Sequence, residues 1–408
     1  MTANTAKQDI APPGSKLVDA LGAELCPAGL PLVTARMLND PHAVRRMREA
    51  GAVHEVNMSG RETGWLLTGY DAAARALIDP RLLGDPPQHW AGRAGSKPEL
   101  LDEEDLFFLP EVERTRLRLL IARRLTNRRV AELSGRIQGQ VDALLDVMPH
   151  AGTVNFVAAF ARPLPAMVLC ELLGIPGPGR QYILDYVNGW IAGAGTASPV
   201  TESAGLAMAE YLAKLIAERR SAPGDDLISA MALGADATDG DVLSAVRLLL
   251  VAGHRPVTRL LARGVATLLS PRSRWQQLVN EPERTDATVE ELLRFVTPTP
   301  LATRYVRDEI EIDGVVLPPG GGVHCSLGAA NRDPARFENP DTFDPRRPAN
   351  PHLSFGLGRK HCLGAALVRA EARVAIGGLV RRFPHAQLVD DQLSSGRLLV
   401  TLNPASTR

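Results

Sequence analysis

Between Val112 and Phe295, apolar residues return every three or four positions, the repeat of helices that bury one face. VERTRLRLLIARRL has that spacing and gathers its arginines on one side. VAELSGRIQGQVDALLDVM and LPAMVLCELLG continue it, the second closed by Gly174 and Pro176. Residues 177–193 and 201–219 predict two further helices. Residues 239–270 are apolar almost throughout and predict a long helix crossing the interior. Its middle, Gly253-His254-Arg255-Pro256, is unusual for a core helix. Elsewhere the pattern is shorter. Residues 1 to about 35 read as an irregular arm and 41–49 as a helix. VHEVNMSGRETGWLLTG predicts two strands around Ser59-Gly60, and DAAARALID a short helix. Residues 81–110, with Pro86, Pro87, Gly92, Gly95 and Pro98, predict a long loop. After residue 300, VRDEIEIDGVVLPPGGGV reads as strand, turn and strand. A Pro/Gly/Asp-rich coil leads to Cys362, a helix starts at Leu363, and the tail reads as short strands. There is no internal repeat. The expected fold is mainly α with a few small β-sheets. It divides into an N-terminal arm, residues 1–40, and one domain, residues 41–408.

Composition narrows the class. With 45% hydrophobic residues, the chain of 408 is apolar enough for a large core. Lys+Arg and Asp+Glu are both 46, so no global attraction to nucleic acid or to an anionic membrane is expected. Cys26, Cys170, Cys325 and Cys362 are scattered, which suggests neither a disulfide framework nor a clustered zinc site. The polar N-terminus and the lack of a long apolar run predict a soluble, cytoplasmic protein.

The chemistry concentrates in Phe355-Gly-Leu-Gly-Arg-Lys-His-Cys362-Leu-Gly364. The glycines permit tight turns and close approach to a flat ligand. A cysteine just before a helix meets backbone N–H groups that favour a thiolate, which can act as a nucleophile or an iron ligand. A dinucleotide loop would need a third glycine and a leading strand, both missing. A Cys362–His361 nucleophile pair would need adjacent residues to face each other. A purely structural cysteine remains open for the loop alone.

The loop does not stand alone. Residues 355–364 match F-G-x-G-x-[HRK]-x-C-x-G, Glu291-Leu-Leu-Arg294 matches ExxR, and Asn331–Phe337 and Asp341–Arg347 match the intervening coil. In these features, and in Cys170-Glu-Leu-Leu-Gly-Ile-Pro, the chain resembles the cytochrome P450 family of haem-thiolate monooxygenases from roughly residue 40 onward. The resemblance implies the P450 fold, with haem b buried between the long central helix and the cysteine loop and Cys362 as axial iron ligand. Phe355, Gly356 and Gly364 would shape the loop. Arg114, Arg118, Arg304, His352 and Lys360 would meet the haem propionates, although Arg114 stands where bacterial members carry His. Ala252 and Gly253 would lie over the haem. Arg346 or Arg347 would be third partner to the ExxR pair, since Thr342 replaces the arginine of some members.

The chain departs from the family at the acid–alcohol pair A-G-x-[DE]-T, which here reads Ala252-Gly-His-Arg255-Pro256. Thr258 comes two residues too late to replace the alcohol, at about 100° per residue. Arg255 and Pro256 therefore become the candidate catalytic positions. A buried Arg255 would need an anionic partner, either a protein carboxylate or a substrate carboxylate. Arg-Pro at these positions resembles the fatty-acid peroxygenase branch. The expected function is oxidation of a small organic substrate in specialised-metabolite biosynthesis. The alternatives are a peroxide-dependent or substrate-assisted oxidase, oxidative coupling included, that recognises a carboxylate through Arg255, or a non-catalytic haem sensor. Trp90, Leu249, Arg255 and Leu301 are candidate substrate contacts. A ferredoxin with its reductase, docking on Arg116, Arg123, Arg124, Arg128, Arg129 and Arg359, or hydrogen peroxide, is the expected oxidation partner. The chain is expected to be a monomer without nucleic-acid or membrane partners.

Overall fold

The computed structural model describes residues 15–58, 62–84, 111–149, 152–192, 199–234 and 237–402. The chain forms two compact units. One comprises Met1–Gly95, Thr299–Phe343 and Asn350–His361; the other comprises Ser96–Pro298, Asp344–Ala349 and Cys362–Arg408.

The first unit is built on a six-stranded mixed sheet. Strands Val53–Met58 and Glu62–Leu67 pair antiparallel, with Val53 opposite Leu67, as the alternation around residues 59–60 predicts. The sheet continues through Gly322–Ser326 to Leu301–Val306, strands that the sequence pattern did not reveal. Strand Gly322–Ser326 is buried at every position and therefore lacks the polar alternation that marks a half-exposed strand. Ile310–Ile312 and Val315–Leu317 form the predicted hairpin, turning at Asp313 and Gly314, both with positive φ. The irregular arm differs from expectation: Ser15–Leu21 is a helix, and Leu17 is fully buried in a core with Met47, Val56 and Leu66. A leucine anchored in an apolar core holds a short helix that its own propensity would not. Helix Tyr70–Ile78 is capped from afar, since Asp333 Oδ2 accepts from Tyr70 N at 2.7 Å and Arg336 lies 5.2 Å over the Tyr70 ring.

The second unit is a helical bundle with one three-stranded sheet, Gln387–Gln392, Arg397–Thr401 and Thr153–Asn155. The central helix runs unbroken over Asp239–Leu269. A reciprocal capping box starts it: Asp241 N donates to Thr238 Oγ1 and Thr238 N to Asp241 Oδ2. Pro256 lies inside without ending it. Helix Pro163–Leu173 stops at Gly174, φ 72°, as the Gly174–Pro176 signal predicts. The final helix, Ala365–Arg382, packs on helix Asn127–Val147, the ExxR helix Thr285–Val296 and the central helix. No described helix is long and apolar enough to cross a membrane.

Candidate active site

The ExxR pair is a buried ion cluster in the second unit. Arg294 Nε and Nη2 donate to the two Glu291 carboxylate oxygens at 2.8 and 2.7 Å, and both side chains are essentially inaccessible. Two further donors reach Glu291 Oε1, Asp344 N at 2.8 Å and Arg347 Nε at 3.1 Å. Arg347, rather than Arg346, is therefore the third partner; Arg346 is exposed and reaches Glu281 instead. A buried carboxylate with this many donors is satisfied, and its geometry fixes the coil against the helix.

Cys362 lies just ahead of the final helix, whose first turn has no side-chain cap. Burial pushes its thiol up, while the Gly364 N–H and the Arg118 and Arg369 guanidiniums pull it down, and burial prevails. The helix start thus supplies only part of what a thiolate needs; a bound metal cation would supply the rest. A Cβ at residue 364 would stand 4.0 Å from the sulfur, in ordinary van der Waals contact with it. Sequence reasoning missed Arg369. It lies two helical turns beyond the cysteine and forks onto Glu290 at 2.6 and 3.0 Å. Arg118 is half-buried, and burial lowers its pKa against the pull of Cys362. The Arg114 side chain lies outside the described residues.

The other loop residues belong to the first unit. Gly356 and Gly358 have φ of 66° and 68°, a region closed to most side chains. The Lys360 ammonium packs so tightly on Gly84 that a Cβ there would overlap it. Asn331 holds the chain before the loop, accepting from Leu353 N at 2.6 Å and donating to Ser354 Oγ at 2.9 Å. His352 Nδ1 accepts from Ser354 N, and its ring centroid is 5.8 Å from that of Phe355. Arg304 is buried and bonded to Thr303 O at 2.9 Å, and burial lowers its pKa. No carboxylate among the described residues pairs with it. A desolvated guanidinium in that condition fits a cofactor carboxylate. Leu301 packs against the Leu17–Leu66 core.

On the central helix, Ala252 is exposed, and Gly253 packs so close to Leu169 that a Cβ would stand 3.3 Å from it. Leu249 is partly buried. His254 is buried, and its Nε2 donates to Arg162 O at 2.8 Å. Its pKa falls to about 4, chiefly through burial, so the ring is neutral at physiological pH. Arg255 is exposed, and no carboxylate among the described residues pairs with it. Thr258 Oγ1 is buried without a partner. Trp90 lies outside the described residues. Of the arginines expected to form a docking patch, Arg116 pairs with Asp241 at 2.8 Å and Arg129 with Asp225 at 2.6 Å. Arg123, Arg124 and Arg359 are exposed.

Comparison with known proteins decides the family. The profile of "Cytochrome P450" matches residues 237–407. The 6-deoxyerythronolide B hydroxylase of Saccharopolyspora erythraea is 35% identical over 84% of this chain and 88% of its own length. The chain belongs to the cytochrome P450 family. Pentalenic acid synthase of Streptomyces avermitilis is 34% identical over 85% of this chain and 88% of that enzyme. Among solved structures, the bacillaene polyketide synthase P450 PksS of Bacillus subtilis superposes with a TM-score of 0.79, at 29% identity over 90% of this chain and 97% of that one. This P450 is accordingly a haem-dependent oxidoreductase with the P450 fold, similar to bacterial monooxygenases of secondary-metabolite biosynthesis. That weighs against the sensor reading.

Proposed function

We propose that this P450 oxidises a small organic metabolite with haem b held through Cys362, and that the Arg255-Pro256 pair changes how protons reach the reaction. The observation that carries the proposal is Cys362, held among the Gly364 N–H, Arg118 and Arg369 in a chain of this family. Haem bound through a thiolate supplies dioxygen activation, since the sulfur pushes electron density that favours O–O cleavage. The resemblance assigns Arg118, Arg304, His352 and Lys360 to its propionates, as it does Arg114; the buried Arg304, without a carboxylate partner among the described residues, supports its share of that reading. A guanidinium does not give up its proton in a protein, and proline has no hydroxyl. Positions 255 and 256 therefore cannot relay protons as an acid and an alcohol do. Protons must come from ordered water, from the substrate, or with hydrogen peroxide as co-substrate.

The ferrous protein under carbon monoxide should show the red-shifted band of thiolate ligation, and Cys362→Ser should lose it. An unshifted band, or no porphyrin, overturns the proposal. A second reading rests on Arg255, a charged residue on the central helix without a carboxylate partner among the described residues. There the arginine holds a substrate carboxylate and peroxide is the oxidant. Fast, well-coupled turnover with NAD(P)H and ferredoxin partners, together with inert peroxide, rules that oxidant out. The exposed Arg123 and Arg124 suit an acidic ferredoxin. We read the protein as cytoplasmic and monomeric.

A further inference from the structure

Arg255, Arg259 and Arg263 stand at i, i+4 and i+8 of the central helix, so they share one face. Like charges at that spacing oppose helix formation unless something neutralises them. Arg263 has Asp391 as an electrostatic partner. Among the described residues, no carboxylate pairs with Arg255 or Arg259. Arg259 is partly buried and fixed, its Nη1 donating to Pro298 O at 2.7 Å. That carbonyl sits on a rigid corner: Thr297 is left-handed, φ 43°, and its hydroxyl bonds Arg294 O at 2.7 Å. Burial, then Arg263 and Arg255, push the Arg259 guanidinium down to about 10, so a counter-anion would be favoured there. The positions one turn from Arg255 and Arg259 include Val251, Ala252, Pro256 and Ala262, apolar neighbours better suited to a lipophilic acid than to a strongly hydrated phosphate.

We propose that Arg259 is a second specificity-determining residue: with Arg255 it holds one carboxylate of the substrate between two guanidiniums. This rests on the reading of Arg255 as a substrate contact. Preorganisation by Pro298 fixes where the acid is held.

The test uses the haem-loaded protein and two probes. Melting temperature is compared in acetate and in chloride at equal ionic strength. Dodecanoate and methyl dodecanoate are compared by calorimetry. Acetate should raise the melting temperature above that in chloride, and the acid should bind at least tenfold tighter than the ester. Arg259→Gln should cut the acid-to-ester ratio at least fivefold while leaving ester affinity unchanged. Arg259→Lys, which keeps a donor for Pro298 O, covers the case in which the glutamine variant fails to fold. It should retain part of the preference, because it keeps the charge and loses the fork. If Arg255→Ala removes the preference and both Arg259 variants keep it in full, the inference falls and the Arg255 reading survives. If the parent favours the acid in neither assay, both fall.

Discussion

Arg346 and Arg347 are neighbours of the same type with opposite fates, and the difference sets their energetic weight. Arg347 completes the shell of a carboxylate buried with Arg294, whereas Arg346 meets Glu281 at the surface. Arg347→Ala should cost about 3 kcal/mol, as when one partner of a buried ion cluster is removed. Arg346→Ala should cost less than about 0.5 kcal/mol. Urea unfolding of both variants checks the contrast. Glu371 gives a pH prediction. It is buried on the final helix, its Oε1 has no hydrogen-bond partner, and burial pushes its carboxyl up to about 8. The folded state therefore holds a proton that the unfolded chain releases near its ordinary value of 4.5. Its contribution to stability is complete below that value and is lost as pH rises through about 8. Glu371→Gln should flatten the fall in urea midpoint between pH 5 and 8; an unchanged slope would show that the carboxyl is not protonated in the fold.

Gly174 shows how one residue governs two helices. It ends Pro163–Leu173 with φ 72°, and a Cβ there would come within 2.4 Å of Asp226. Asp226 in turn caps helix Leu227–Ala232 through Ser229 N and binds Arg219 Nε at 2.9 Å. Gly174→Ala should therefore cost more than the 1–2 kcal/mol of left-handed strain alone, about 2–3 kcal/mol in denaturation. The stop itself was legible, because glycine followed by proline is a local signal. The Asp226 contact was not, because it joins segments far apart in sequence. The central helix divides the same way. Its length and apolar run predicted it, and its capping box is local. The bond from Arg259 to Pro298 depends on rotation and packing, which a one-dimensional pattern does not carry. In Pro256 the helix keeps a residue that costs about 3 kcal/mol in an ordinary interior. Replacing Arg255 and Pro256 with Glu and Thr should stabilise this helix and raise ferredoxin-driven hydroxylation, checked by thermal melting and product per NAD(P)H. No gain in coupling would remove the relay argument.

The balance of 46 basic and 46 acidic residues conceals a local asymmetry. Arg116 and Arg129 are neutralised by Asp241 and Asp225, so in the proposed ferredoxin docking the exposed Arg123 and Arg124 would carry the steering on this helix end. Reversing both to Glu should slow reduction by a ferredoxin at low salt and flatten its salt dependence, with little change in substrate affinity. The loop motif, ExxR and their order made the family legible, because metal chemistry constrains residue type and spacing together. The Gly322–Ser326 strand stayed hidden, because a strand covered on both faces carries no alternation. The arm helix was missed because one buried leucine, Leu17, holds it.

The polypeptide alternates between the two compact units through six segments, and one junction falls between His361 and Cys362. No single scission can release either unit intact, and a fragment ending at residue 361 would carry Phe355 and Lys360 without the sulfur. Recombination among related enzymes faces the same geometry: a crossover at that peptide bond exchanges the proposed iron ligand independently of Gly356 and Gly358.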